Sequence, residues 1–169
     1  MPAVSNAAFG VIAAGVTIAT VVDIRTRRIP NELTAAMAGV GIGLAASGVS
    51  GVPLWASVLG FVVGLVLMMP GHVLGATGAG DVKLMAAVGA IVGPALVISA
   101  FLFTAIAGGV LAIVVAVRRR RLAATLAGTG RLVAGSTGTR ELLRSAPPTS
   151  RFAYGPAIAV GSLLAALVG

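Results

Sequence analysis

From Val82 to Val117 the chain runs for 36 residues with a single charge, Lys83. As one straight helix this stretch would be about 54 Å long, while the hydrocarbon of a bilayer is only about 30 Å thick. It is too apolar for a water-facing helix and too long for one crossing, so it must fold back on itself. Gly93-Pro94 is the natural place, because proline lacks the N–H that a continuing helix needs. The rest of the chain agrees. Charged residues make up 9% of it, against roughly 25% in soluble domains, too few to coat a surface facing water. Aromatic residues, at 4%, are too scarce for the girdles of a membrane β-barrel. The expected fold is an all-α polytopic bundle, with glycines where helices approach closely in lipid.

A crossing takes about 20 apolar residues. Ala3–Val22 supplies the first, and a polar connector from Asp23 to Glu32 follows it. Pro30 suits the start of a helix, and Glu32 complements its positive end. Leu33–Gly51 is the second span, Val52-Pro53 breaks the chain, and Leu54–Val73 is the third. A small-residue loop leads to Asp81. Val82–Val92 is only about 16 Å long, so either it is a half-span beginning below the membrane surface or the turn lies elsewhere. Ala95–Val117 crosses fully and is closed by Arg118-Arg119-Arg120-Arg121. Residues 118–151 form a polar loop, with Arg131, Arg140, Glu141, Arg144 and Pro147-Pro148, and Phe152–Gly169 is the last span.

Six spans put all 12 Lys and Arg on one side, counting Lys83 at its helix entrance, and none on the other. Five spans would set Arg118–Arg121 opposite Arg25, Arg27 and Arg28. The positive-inside rule therefore favours six spans, with both termini outside, in one membrane-embedded domain over 1–169. The first residues, Met1-Pro2-Ala3-Val4-Ser5-Asn6, have no positive region, so no cleaved signal peptide is expected. The net charge of +8 points to anionic lipid headgroups rather than nucleic acid. Trp55 and Tyr154 suit membrane interfaces.

The chain has no cysteine and one histidine, His72. That removes disulfides, thiolate metal sites and cysteine nucleophiles. One imidazole makes no metal site, and a structural role is expected of it. The run Gly75-Ala76-Thr77-Gly78-Ala79-Gly80 lacks the strand and lysine spacing of a phosphate-binding loop. The acids are Asp23, Glu32, Asp81 and Glu141, and Asp23 and Asp81 lie at span ends on one side. Ionisable groups at membrane depth are costly and mark function. Two carboxylates brought together share a proton and can serve as acid and base on one water, the requirement of aspartyl proteolysis. Structural roles compete with this reading. Asp23 could pair with Arg25 or Arg27, and Asp81 could cap the helix from Val82.

The flanking residues resemble a known family. Gly78-Ala79-Gly80-Asp81-Val82-Lys83-Leu84 reads as the GxGD signature of intramembrane aspartyl proteases, in the form seen in type IV prepilin leader peptidases. Asp23 with Arg25, Arg27 and Ile29-Pro30-Asn31 looks like the first-aspartate motif of those peptidases. Tyr154-Gly155-Pro156 is similar to their last-span motif, with Ala153 where a proline is often found. The resemblance runs from Val4 to Gly169. It implies catalytic Asp23 and Asp81, an active-site loop with Gly78, Gly80 and Lys83, and support from Pro30, Asn31, Gly155 and Pro156. Gly78 and Gly80 are expected to let the chain bend so that Asp81 faces Asp23.

The implied activity is endoproteolytic removal of a short basic leader from a type IV or Flp-type prepilin. Cleavage would fall at the cytoplasmic face of a bacterial inner membrane, with no metal or organic cofactor. Larger members carry a CxxC domain and methylate the new N-terminus. This chain, without cysteine and with a ten-residue first connector, resembles the short tight-adherence (Flp) pilus type and is expected to cleave without methylating. Two other classes fit the acids alone: a small transporter or channel component with Asp23 and Asp81 lining a polar path, and a membrane scaffold in which both only cap helices.

Overall fold

A computed structural model describes residues 5–118 and 154–168. All regular structure among them is helical: α1 (Asn6–Thr26), α2 (Asn31–Ala46), α3 (Leu54–Val73), α4 (Ala79–Arg118) and α5 (Gly155–Val168). Three of these, α1, α3 and α4, are long and apolar enough to cross a membrane, and α5 is a shorter apolar helix. The protein is an all-α membrane protein. The expected loop 118–151, apart from Arg118 at the end of α4, lies outside the described residues, as do Met1–Val4, Phe152, Ala153 and Gly169.

Each helix begins and ends for a local reason. Ser5 caps α1, its hydroxyl accepting from the Ala8 N–H at 3.3 Å. α1 continues past Val22 to Thr26, so Asp23 belongs to the helix and the connector shrinks to Arg27–Pro30. The helix ends when Arg27 turns left-handed (φ 52°) and its N–H bonds back to the Asp23 carbonyl at 2.7 Å. Pro30, extended at φ −61°, precedes α2, and Glu32 sits in the first turn of that helix as expected. α2 stops at Ala46, five residues before the expected Gly51, because Gly48 and Gly51 adopt φ +75° and +72° and turn the chain. α3 has the expected bounds.

The break in α4 falls at Gly93, whose φ of 81° and ψ of 177° are far from helical. The chain reverses there. A methyl group on Gly89 would lie 3.2 Å from the side chain of Val97, eight positions on, which a straight helix forbids. The first arm, 79–92, is the centre of the bundle, with every residue from Leu84 to Gly93 buried. A helix apolar all round is a buried helix. Irregular backbone at membrane depth survives only where protein shelters it, and this arm has that shelter.

Glycine sets how closely α3 approaches that arm. Gly60 and Gly64 are one turn apart on α3, and a Cβ on either would collide with backbone of Gly89 or of Met85 and Ala86. The break leaves the Ala90 carbonyl without a helical donor, since Pro94 has no N–H. The buried Ser57 hydroxyl of α3 donates to it at 2.6 Å. Ser57→Ala is therefore expected to lower stability by about 1–2 kcal/mol, measured by denaturant unfolding in detergent. Unchanged stability would mean that Ala90 is satisfied in another way.

Candidate active site

Two carboxylates are buried in this apolar bundle: Asp23 is 6% exposed and Asp81 7%. Buried charge requires hydrogen bonds, and each finds a backbone donor at a helix start. The Gly78 N–H donates to Asp81 Oδ2 at 2.8 Å, while the Gly78 carbonyl accepts the Asp81 N–H at 3.1 Å. Helix α4 begins at Ala79 rather than at Val82, so Asp81 lies in the first turn. It is not the N-cap residue; it caps from inside, as an acid at the third helical position does. Asp23 is bonded from across the fold, by the Gly155 N–H of α5 at 2.9 Å. Both carboxylates thus stand at the positive end of a helix, where negative charge is favoured.

Asp23 and Asp81 line one cavity of about 370 Å³, together with Arg27, Arg28, Asn31 and Lys83. Four segments build it: the end of α1, the connector, the start of α2 and the start of α4. Lys83 Nζ donates to Asn31 Oδ1 at 2.8 Å, tying α4 to α2. Pro30 fixes the entry into α2 and so the place of Asn31. The arrangement sets two carboxylates on the lining of one shared space, beside three cationic side chains. Two such acids can divide the roles of base and acid on one water.

The glycines act differently from the expectation. The left-handed residue in the loop is Gly75 (φ 78°), not Gly78 or Gly80. Gly80 is needed for contact: a Cβ there would lie 2.9 Å from Ile29 Cβ, in the connector beside Asp23. Gly78 would carry its Cβ 3.2 Å from Asp81 Oδ2. Gly80→Val is therefore expected to push α4 off the connector and reduce cleavage by about 10²-fold, the scale of a 1 Å misplacement, in a variant that still inserts. Normal processing by that variant would show the contact to be dispensable.

Gly155 has a similar role. A Cβ on it would lie 2.9 Å from Asp23 Oδ2 and 3.1 Å from Asp23 Cβ, so only glycine brings this N–H to the carboxylate. Pro156 follows in the first turn of α5, where a missing N–H costs nothing. Tyr154, expected as an interface anchor and as part of the last-span motif, packs against Gly108 of the second α4 arm. His72 closes the loop after α3, its Nδ1 lying 3.2 Å from the Thr77 carbonyl. The left-handed Arg27, part of the first-aspartate motif, also lines the cavity, as does Arg28, which charge patterning marks only as an orientation residue.

The sequence model of the type IV leader peptidase family matches residues 10–113. The match spans most of α1 through most of α4, including Asp23, Asn31, Asp81 and Lys83, and leaves Gly155 and Pro156 outside it. No curated protein and no solved structure matches the chain. The buried aspartate pair thus sits in a chain that belongs to the type IV leader peptidase family, a family of peptidases.

Proposed function

We propose that this protein is an aspartyl endopeptidase that removes the short basic leader of a type IV or Flp-type prepilin at the cytoplasmic face of a bacterial inner membrane. The observation that carries this reading is that Asp23 and Asp81, from helices far apart in sequence, line one polar cavity in an otherwise apolar bundle. The two carboxylates hold one proton between them. The ionised one takes a proton from water as the oxygen attacks the scissile carbonyl, and the protonated one gives its proton to the leaving amine as the C–N bond breaks. The dyad titrates as a unit, so neither residue alone is the base. The scissile segment must be extended, because a helix ties up its carbonyls. The leader stays on the cytoplasmic side with its junction at the aspartates, and the apolar helix after the junction stays in the bilayer. The chain lacks cysteines for a zinc-type module, which supports cleavage without methylation.

Co-expression with candidate pilin precursors from the same genome tests the proposal. A fall in precursor mass by the leader is the expected result, and unchanged mass for every precursor would overturn it. The reading also carries six crossings with both ends outside. A reporter placed after Arg121 should then be cytoplasmic and one at Gly169 external. Two reporters on the same side would remove the six-crossing arrangement.

A further inference from the structure

Helices α2 and α3 are consecutive, yet both pack on the buried first arm of α4 rather than closely on each other. Gly41 of α2 sits against Ala90 and Ile91, and Gly60 and Gly64 of α3 sit against Gly89, Met85 and Ala86. Between the two helices this leaves a groove of about 580 Å³. Beyond Asn31 and Lys83 its lining is apolar apart from Thr34, whose hydroxyl is turned to the Asn31 carbonyl at 3.0 Å. Ala35 and Ile42 lie exposed along one wall, with Phe61 and Leu65 on the other. From Asn31 to Ile42 the groove runs about 16 Å along α2.

Its position gives it meaning. Asn31 and Lys83 line both this groove and the cavity that holds Asp23 and Asp81. At that bonded pair a polar, charged lining gives way to an apolar one. A single ligand filling both spaces needs an extended polar part at the aspartates, followed directly by an apolar helix. The small wall residues Thr34, Ala35 and Ala38 permit the close backbone approach by which helices associate in lipid.

We infer that the α2–α3 groove is the docking site for the apolar helix of the substrate, and that Asn31 and Lys83 mark where this helix must end and the extended scissile segment begin. The inference rests on the leader-peptidase reading for the identity of its ligand. The groove sets the register of cleavage: a helix seated in it delivers its N-terminal junction to the aspartates, at a distance fixed by the protein. Substrate choice then depends on helix shape along α2 as well as on the sequence of the leader.

The test places the photo-cross-linker p-benzoylphenylalanine at Ala35 or, as a control, at Ile106, which is 64% exposed on the second α4 arm. Each protein is irradiated in membranes with a pilin precursor and, separately, with the same pilin lacking its leader. Both forms should cross-link at position 35 and neither at 106. Equal cross-linking at the two positions would overturn the docking site. So would a cross-link at 35 only to a second copy of this protein, to its own chain or to lipid. A second arm uses Ala35→Phe, which should slow processing at limiting precursor by about tenfold, with recovery as the precursor is raised. Ile106→Phe should process normally. An Ala35→Phe rate equal to wild type at limiting precursor would also overturn the inference. Because leaderless pilin is one of the probes, the cross-link decides the groove even where no precursor is cleaved, an outcome that would remove the leader-peptidase reading instead.

Discussion

Asp23→Asn and Asp81→Asn are each expected to abolish leader cleavage, lowering the rate by roughly 10²- to 10⁴-fold, and the double variant is expected to be no worse than either single one. Asparagine keeps the size and much of the hydrogen bonding, so Gly155 and Gly78 still find an acceptor and the protein should fold and insert. On the proposed mechanism, what is lost is the proton that the pair shares. One water would be activated by two groups acting as a unit, and the effects of such groups do not add. Glu32→Gln, in the first turn of α2, and Glu141→Gln should retain substantial activity. Chelators should leave the rate unchanged. A precursor-processing assay with matched membrane levels of each variant measures all of this. A folded Asp→Asn variant that works at near wild-type rate would remove the dyad mechanism, and additive losses would point to two separate roles.

The second large effect is expected at Gly155. Valine there would force its side chain onto the buried Asp23 and push the carboxylate toward the cavity it lines. The carboxylate would be displaced and lose its N–H donor, with a drop in cleavage of about 10²-fold and a smaller one for Gly155→Ala. Gly109→Ala is the matched control, since nothing lies within 4 Å of a Cβ at that position. The comparison separates positioning of Asp23 from general damage to the bundle. Equal activity of Gly155→Val and Gly109→Ala would show that the contact to Asp23 has no bearing on catalysis.

Hydropathy made much of the bundle readable. The limits of α3 and the break at Gly93 both follow from apolar runs interrupted by proline and glycine. Where the reading failed, the missing information was conformational. Asp23 to Thr26 are mostly polar, which suggested a connector, but a helix can continue beyond its apolar part, and here Thr26 Oγ1 closes it on the Val22 carbonyl at 2.9 Å. Residues 47–51 are apolar enough to extend a span, and hydropathy does not register the positive φ of Gly48 and Gly51 that ends α2. The motifs identified the aspartates without the reason for their glycines. Gly80 answers to Ile29 and Gly155 to Asp23, contacts made between separate elements, which local spacing cannot report. The family match covers both aspartates, while the donor to Asp23 lies beyond it.

Asp23 comes from the first described helix and its hydrogen-bond donor from the last, with the arm that carries Asp81 enclosed between them. This fixes an order of events during synthesis. When α1 leaves the ribosome its carboxylate has no N–H from α5, and the arm after Ala79 has none of the later chain to bury it. The aspartates therefore meet in their final surroundings only after the closing helix has arrived. In a ribosome-bound fragment that ends before Tyr154, Asp23 thus lacks the Gly155 N–H that bonds it in the finished fold.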